Sequence, residues 1–206
     1  MPDKSLQGLA SRLKSIADIG LLYNPTGYDK ERYAEIREIS FDLLAAVTGK
    51  EINLLKESYA DTREYPTVKV DIRAFITRGR EILLVKELTD NKWSLPGGWA
   101  DIGYSPKEVV IKECREETGL DVSVERLLAV FDKRMHPHPP QPFYVYKMVF
   151  HCIPVETVAT KGFDIGDVQY FDIDQLPDLS TDRICESQLL KVFNQYKLTE
   201  TATYFD

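Results

Sequence analysis

Residues 98–120 constrain this chain more than any other stretch. They read Gly-Trp-Ala-Asp-Ile-Gly-Tyr-Ser-Pro-Lys-Glu-Val-Val-Ile-Lys-Glu-Cys-Arg-Glu-Glu-Thr-Gly-Leu. Ser105 suits a helix N-cap, Pro106 the first helical position, and Glu108 completes the Ser-x-x-Glu capping box. Gly119 can take the left-handed conformation that ends a helix. Val109, Val110 and Cys114 supply an apolar side for packing. Glu113, Glu116 and Glu117 stand at i, i+3 and i+4, so a helix gathers their carboxylates on one face. Clustered anions repel, and a hard divalent cation bound through oxygens gives such a face a reason to exist. Taken alone, a run of this kind is usually a solvated surface. The preceding run, Trp93-Ser-Leu-Pro-Gly-Gly98, argues otherwise, because its glycines let backbone approach a ligand closely.

Apolar periodicity divides the rest of the chain in two. Leu6, Leu9, Leu13, Ile16, Ile19 and Leu22 recur every three or four residues and predict a helix over 5–23. Tyr33, Ile36, Ile39, Leu43, Leu44 and Val47 predict a second over 29–48, with Gly49 as its stop. A shorter helix follows over 51–59, and 60–66 read as a linker. The expectation is a helical domain over 1–62 and a second domain over 67–206. The first is too short to bury much alone, so its apolar stripes are expected to pack on the rest of the chain or on a second copy.

From Thr67 the period shortens to two. Val68, Val70 and Ile72 alternate, the turn Arg78-Gly79-Arg80 follows, and 82–85 are apolar. Further strands are expected over 122–132, 143–153 and 168–173, and a last helix over 180–196. The proline-rich segment 133–142 is expected to hold no regular structure. Its His136 and His138 could touch a substrate, though exposed loop histidines more often do not.

Charge and cysteine usage narrow the functions. The 206 residues carry a net charge of −7, which lacks the electrostatic footprint of a duplex-DNA binder. Nucleotides and RNA ends stay open, because a bound cation reverses the local sign. No apolar run reaches membrane-spanning length. Cys114, Cys152 and Cys185 are scattered, which suits reduced, buried thiols better than a zinc site. Met-Pro-Asp-Lys-Ser at the start lacks the order of a secretion signal, so a cytoplasmic location is expected.

The opening stretch resembles the Nudix box: Gly, five residues, Glu, seven residues, then Arg-Glu-apolar-any-Glu-Glu-any-Gly-apolar. Gly98, Glu113, Cys114, Glu116, Glu117, Gly119 and Leu120 stand in register. Two positions depart: Tyr104 replaces the first Glu, and Lys112 replaces the Arg. Lys keeps the charge but cannot form the planar bidentate pair. The residues before the box and 164–177 after it are also Nudix-like, and the helical leader is similar to a two-domain Nudix group of Gram-positive bacteria.

The resemblance implies an α/β fold, a Nudix α/β/α sandwich with a mixed sheet, behind a small all-helical N-terminal domain. It implies Mg2+, with Mn2+ as substitute, held by Glu113, Glu116 and Glu117 and by the backbone carbonyl of Gly98. Glu116, Glu117 and Asp164 are the implied catalytic groups, with Glu117, Asp164 and Asp167 as alternatives for the general base. Arg73, Lys86, Lys133 and Arg134 are candidate phosphate contacts, the first two with the resemblance behind them, and Trp99 and Phe143 could sandwich a base. The implied substrate is a nucleoside diphosphate linked to a second group. CDP-choline, giving CMP and phosphocholine, is the first expectation; ADP-ribose or a nucleotide sugar is the alternative. An RNA 3′-5′ exonuclease activity and a homodimer are implied as well. Tyr104 and Lys112 motivate a non-catalytic reading, a nucleotide sensor.

Overall fold

The computed structural model describes residues 5–23, 25–59, 65–141, 143–155, 158–198 and 202–206. It separates into two compact units. The first holds the N-terminal residues through Val68 together with Pro140–Phe143, and the second holds the rest. Most of the expected linker lies outside the described residues.

The first unit contains α1 (Leu6–Leu22), α2 (Tyr28–Thr48) and α3 (Ile52–Ser58). The Ser5 hydroxyl accepts the Gly8 N–H at 3.0 Å and starts α1. Gly49 ends α2 in the left-handed conformation. α1 buries the small residues Gly8, Ala10, Ser11 and Ala17, together with Lys14. Gly20 marks how close α1 and α2 come, since any side chain there would collide with the Tyr33 ring. The core is small: Ala10, Phe41, Leu44 and Leu55. The leucine stripe therefore points the other way, leaving Leu6, Leu9, Leu13 and Ile16 exposed.

The second unit contains β1 (Lys69–Phe75), β2 (Thr77–Arg78), β3 (Glu81–Glu87), β4 (Trp93–Ser94) and β5 (Gly97–Trp99). There follow α4 (Pro106–Thr118), β6 (Val122–Asp132), β7 (Val145–Pro154), β8 (Ile165–Asp172), α5 (Glu186–Lys197) and β9 (Tyr204–Phe205). Among the described residues one sheet runs β5-β1-β7-β6-β9. It is mixed: β1–β7 and β6–β9 are parallel, β1–β5 and β6–β7 antiparallel. A second, antiparallel sheet forms around β3, which pairs with β2, β4 and β8.

Strand alternation sends β1 side chains to opposite faces. Ile72 and Ala74 join Val109, Val110 and Cys114 of α4 in one core. Phe75 joins Leu189, Val192 and Phe193 of α5 in another. The sheet thus lies between α4 and α5, the α/β/α sandwich that the resemblance implies. Three details differ from the sequence pattern. α5 begins at Glu186, because Arg183 and Ile184 donate to the Ser180 carbonyl in a separate turn. Lys133–Met135 form a 3₁₀ turn, which the Asp132 carboxylate caps by accepting the Arg134 N–H. β9 is too short for any period to signal it, and is recruited by pairing with β6.

Candidate active site

The site is built where β5 meets α4. Gly97 has φ of +137°, and a side chain there would run into the Ile72 carbonyl. At Gly98 a Cβ would lie 2.9 Å from a Glu113 carboxylate oxygen. Gly97 needs glycine on both counts, whereas at Gly98 the near neighbour is the movable end of the Glu113 side chain. β1 holds the loop in place through the pairs Arg73–Gly97 and Asp71–Trp99. From the helix side, Glu117 Oε2 accepts the Gly97 N–H at 2.8 Å. α4 itself shows the full capping box, with Ser105 N–H donating to Glu108 Oε2 at 2.7 Å and Gly119 ending the helix in the left-handed conformation.

Burial governs the acids. Desolvation pushes the Glu117 pKa up to about 8; Arg73 and the Gly97 N–H oppose the rise, while Glu87 and Glu113 add to it. Burial also raises Glu113, against the pull of Lys112. Arg73 sits beneath the loop. Its Nε donates to Asp71 Oδ1 at 2.8 Å and its Nη1 to the Leu95 carbonyl at 2.9 Å. It is buried there and faces the charges of Glu117 and Glu87.

Glu116 is exposed and turned toward Lys112, whose Nζ lies 3.0 Å from Glu116 Oε2. The same ammonium is 3.4 Å from Asp101 Oδ2 and 3.6 Å from Glu113 Oε1. Asp101 thus supplies the carboxylate that Tyr104 does not. Tyr104 is exposed, and its N–H donates to the Asp101 carbonyl at 3.3 Å. Asp101 escaped sequence reading because it lies three residues before the expected position; its signal is only an acid in the same loop.

The resemblance implies a divalent cation at this site. Among the described residues no three Asp, Glu, His or Cys side chains converge on one point. Glu116 is held by Lys112 and Glu117 by the Gly97 N–H. The donor set still suits a hard divalent cation in kind: three carboxylates, two of them with raised proton affinity, beside a glycine backbone.

The other expected site residues scatter. Gly162 N–H donates to the Glu117 carbonyl at 2.9 Å, which docks the segment leading to Asp164 on the end of α4. Asp164 and Asp167 are both exposed, and Asp167 Oδ1 accepts the Val168 N–H at 2.8 Å. Lys86 is half-buried on β3, its Nζ 6.0 Å from the Trp93 ring centroid. Trp99 is exposed, with Lys69 Nζ 5.5 Å from its ring centroid. Phe143 is partly buried and belongs to the first unit, whereas Trp99 belongs to the second. Both loop histidines are engaged, His136 Nε2 with Asp206 Oδ2 at 2.9 Å and His138 Nδ1 with the Thr181 carbonyl at 2.6 Å. Glu87 was legible only as the polar end of an apolar run. It is buried, accepts from Ser94 Oγ at 2.7 Å, is ion-paired with Arg183 Nε at 2.9 Å, and repels Glu117.

Residues 4–59 match the family described as UDP-X-like, N-terminal oligomerisation domain, and residues 67–192 match the NUDIX domain. A putative ADP-ribose pyrophosphatase of Bacillus subtilis is 39% identical over 197 residues, 96% of this chain and 95% of that protein. The crystal structure of a UDP-X diphosphatase aligns over 100% of both chains, with a TM-score of 0.65 and 34% identity. An ADP-ribose pyrophosphatase of Streptococcus suis covers 68% of this chain and 100% of its own, with a TM-score of 0.62 and 35% identity. The domain match takes in the glycine loop, the box helix and most of the sandwich, and the chain belongs to the Nudix hydrolase family.

Proposed function

We propose that this protein hydrolyses the diphosphate bridge of a nucleoside diphosphate joined to a second group, with ADP-ribose the leading substrate and CDP-choline the next. The observation that carries this reading is the pair of desolvated carboxylates, Glu113 and Glu117, set against the Gly97-Gly98 backbone. Likeness to the putative ADP-ribose pyrophosphatase of Bacillus subtilis and to the ADP-ribose pyrophosphatase of Streptococcus suis favours ADP-ribose over CDP-choline.

Mg2+, with Mn2+ as substitute, would be held by Glu113, Glu116 and Glu117 with the Gly98 carbonyl. Such an ion neutralises the charge of a diphosphate and makes water a stronger acid. The chain supplies the rest. Glu117 anchors the loop to the helix through the Gly97 N–H. Arg73 keeps the loop carbonyl of Leu95 in place and offsets the charge of Glu117. Asp164, or Glu117 itself, takes the proton of the attacking water. Lys86 offers a cation to the phosphates. Trp99 offers an exposed ring on which a base stacks.

The test is a substrate panel of ADP-ribose, CDP-choline, nucleotide sugars and an end-labelled RNA, with Mg2+ or Mn2+ and product identification. AMP with ribose 5-phosphate is the expected outcome. No turnover of any diphosphate, or turnover unaffected by Glu113→Gln and Glu117→Gln, would overturn the reading. RNA shortened from its 3′ end would establish the exonuclease activity, and tight binding without product would establish a sensor.

Residues 1–62 are proposed as an assembly domain and 67–206 as the catalytic domain of a cytoplasmic homodimer. The exposed stripe Leu6, Leu9, Leu13 and Ile16 supports it, as does the oligomerisation-domain match. No helix among the described residues is long and apolar enough to cross a membrane. Light scattering of Leu9→Glu/Leu13→Glu should report half the mass of the wild type; an unchanged mass would count against the stripe.

A further inference from the structure

The face of the sheet opposite α4 carries a second group of buried charges. Lys147 on β7 is fully buried and in register with Asp71 on β1. Its ammonium bonds Asp71 Oδ2, while Asp71 Oδ1 accepts Arg73 Nε at 2.8 Å. One carboxylate therefore serves two cations. A third, Lys133, is also buried and donates to the neutral backbone carbonyl of Asp182. Burial first, then repulsion by Arg73 and Lys133, brings the Lys147 pKa down to about 8 despite Asp71.

The start of α5 completes the surround. His138 Nδ1 lies 2.6 Å from the Thr181 carbonyl, so Nδ1 carries the hydrogen and Nε2 is left as an acceptor. Burial keeps the ring neutral, with a pKa down at about 4. Gln188 is fully buried and spends Oε1 on the Cys185 N–H at 3.2 Å. Its side chain lies within reach of a weak hydrogen bond to His138, which opposes the fall in the ring's pKa. Yet neither Gln188 Nε2 nor His138 Nε2 has a hydrogen-bond partner within 3.5 Å among the described residues.

The balance of groups selects a ligand. Each ammonium has three N–H groups and commits one to a protein acceptor. Gln188 Nε2 adds donors, and His138 Nε2 adds one acceptor. Asp71 serves both Lys147 and Arg73, Arg73 also faces Glu117 and Glu87, and Lys133 faces the charge of Asp182. Buried cations are costly unless paired. The complement is a compact anion with several acceptor oxygens and one O–H, which describes a singly protonated phosphate monoester. We propose that Lys147, Lys133, Gln188 and His138 form a binding site for a phosphate monoester group at the α5 side of the sheet. Across β5-β1-β7 the register runs Trp99, Asp71, Lys147, which sets the Lys147 and Trp99 backbones about 10 Å apart, two strand spacings. The site deepens the proposed function, since cleaving a diphosphate bridge leaves a phosphate monoester on each product; the group is either one end of that product or a separate phosphate.

Calorimetric titration of the full chain with inorganic phosphate, without divalent cation and at matched ionic strength, tests binding independently of turnover. Saturable binding is expected, weakened about tenfold or more in Lys133→Gln. Gln188→Glu keeps the Cys185 cap but replaces a donor with an anion, and should abolish binding while the protein stays folded by circular dichroism. No saturable binding in the wild type, or binding unchanged in both folded variants, would overturn the site. Kinetics on whichever diphosphate is turned over then identifies the source. Competitive inhibition by phosphate, with KM raised in Lys133→Gln, assigns the site to the reacting molecule. Non-competitive inhibition with KM unchanged assigns it to a separate ligand. A chain that binds phosphate but turns over no diphosphate keeps the site and refutes the proposed function.

Discussion

On the α4 side of the sheet the buried charges are acids; on the α5 side most are bases. Glu113 and Glu117 press against the glycine loop from one direction, while Lys147, Lys133 and Arg73 cluster in the other. The two sets differ in how they announce themselves. The acids repeat at helical spacing between two helix caps, so a single stretch declares them. The bases come from β1, the 3₁₀ turn after β6, and β7, and nothing local marks them as companions. The contrast teaches that one secondary-structure element can expose its chemistry in sequence, whereas a site assembled across a sheet cannot.

The comparison can be broken most severely at Glu117. Glu117→Gln should lower kcat by about 10²–10³-fold, in the range of removing one group that stabilises developing charge. The same change should remove a pH dependence of stability. The Glu117 pKa rises from 4.5 unfolded to about 8 folded. Its protonated form is therefore favoured in the fold, so its contribution is full below pH 4.5 and is lost as pH rises toward 8. Thermal unfolding with a chelator present should show wild type losing ground to Glu117→Gln across that window. Equal changes in both proteins would contradict the burial of this carboxylate.

Arg73 joins the two faces, and its loss should be felt on both. Arg73→Met leaves buried Asp71 with Lys147 alone and should cost about 3–5 kcal/mol in denaturant unfolding. Arg73→Lys keeps the charge but not the planar fork that bonds both Asp71 and Leu95, so it should unfold earlier than wild type and turn over more slowly. Wild-type values for both quantities would remove Arg73 from its bracing role.

The smallest effect belongs to the exposed end of α4. Asp101→Asn should change stability by less than about 1 kcal/mol, because the Lys112 pair is open to solvent. It should lower kcat a few-fold, through loss of a charge that shares Lys112 with Glu113 and Glu116. Adding Tyr104→Glu should restore the loss by returning a carboxylate to the box. Failure of that double variant, measured as kcat, would mean that Asp101 does not stand in for the missing Glu.

Much of the fold was legible because periods survive burial. The helices of the first unit, the box helix and the main strands lie where apolar spacing predicts them. The start of α5 and the short strand β9 were not legible. A turn bonded to Ser180 delays the helix, and two residues have no period. The site divides in the same way. Gly98, Glu113 and Glu117 meet at the loop, while Arg73 lies beneath it and Asp164 and Asp167 sit exposed beyond it.

By itself the sequence determined the cap-to-cap helix, the acids on its face, the glycines they face and the division into a helical and a sandwich unit. Those are consequences of short-range geometry: hydrogen-bonding termini, side-chain spacing and steric limits at glycine. Tertiary structure decided the rest. It turned the leucines of α1 outward, because close approach to α2 selects small residues. It gave Lys112 a partner in Asp101. It raised the proton affinity of Glu117 by taking it out of water, and it set Lys147 beside Asp71. Burial and pairing across strands depend on which residues distant in the chain become neighbours, and that is settled only when the sheet closes between its two helices.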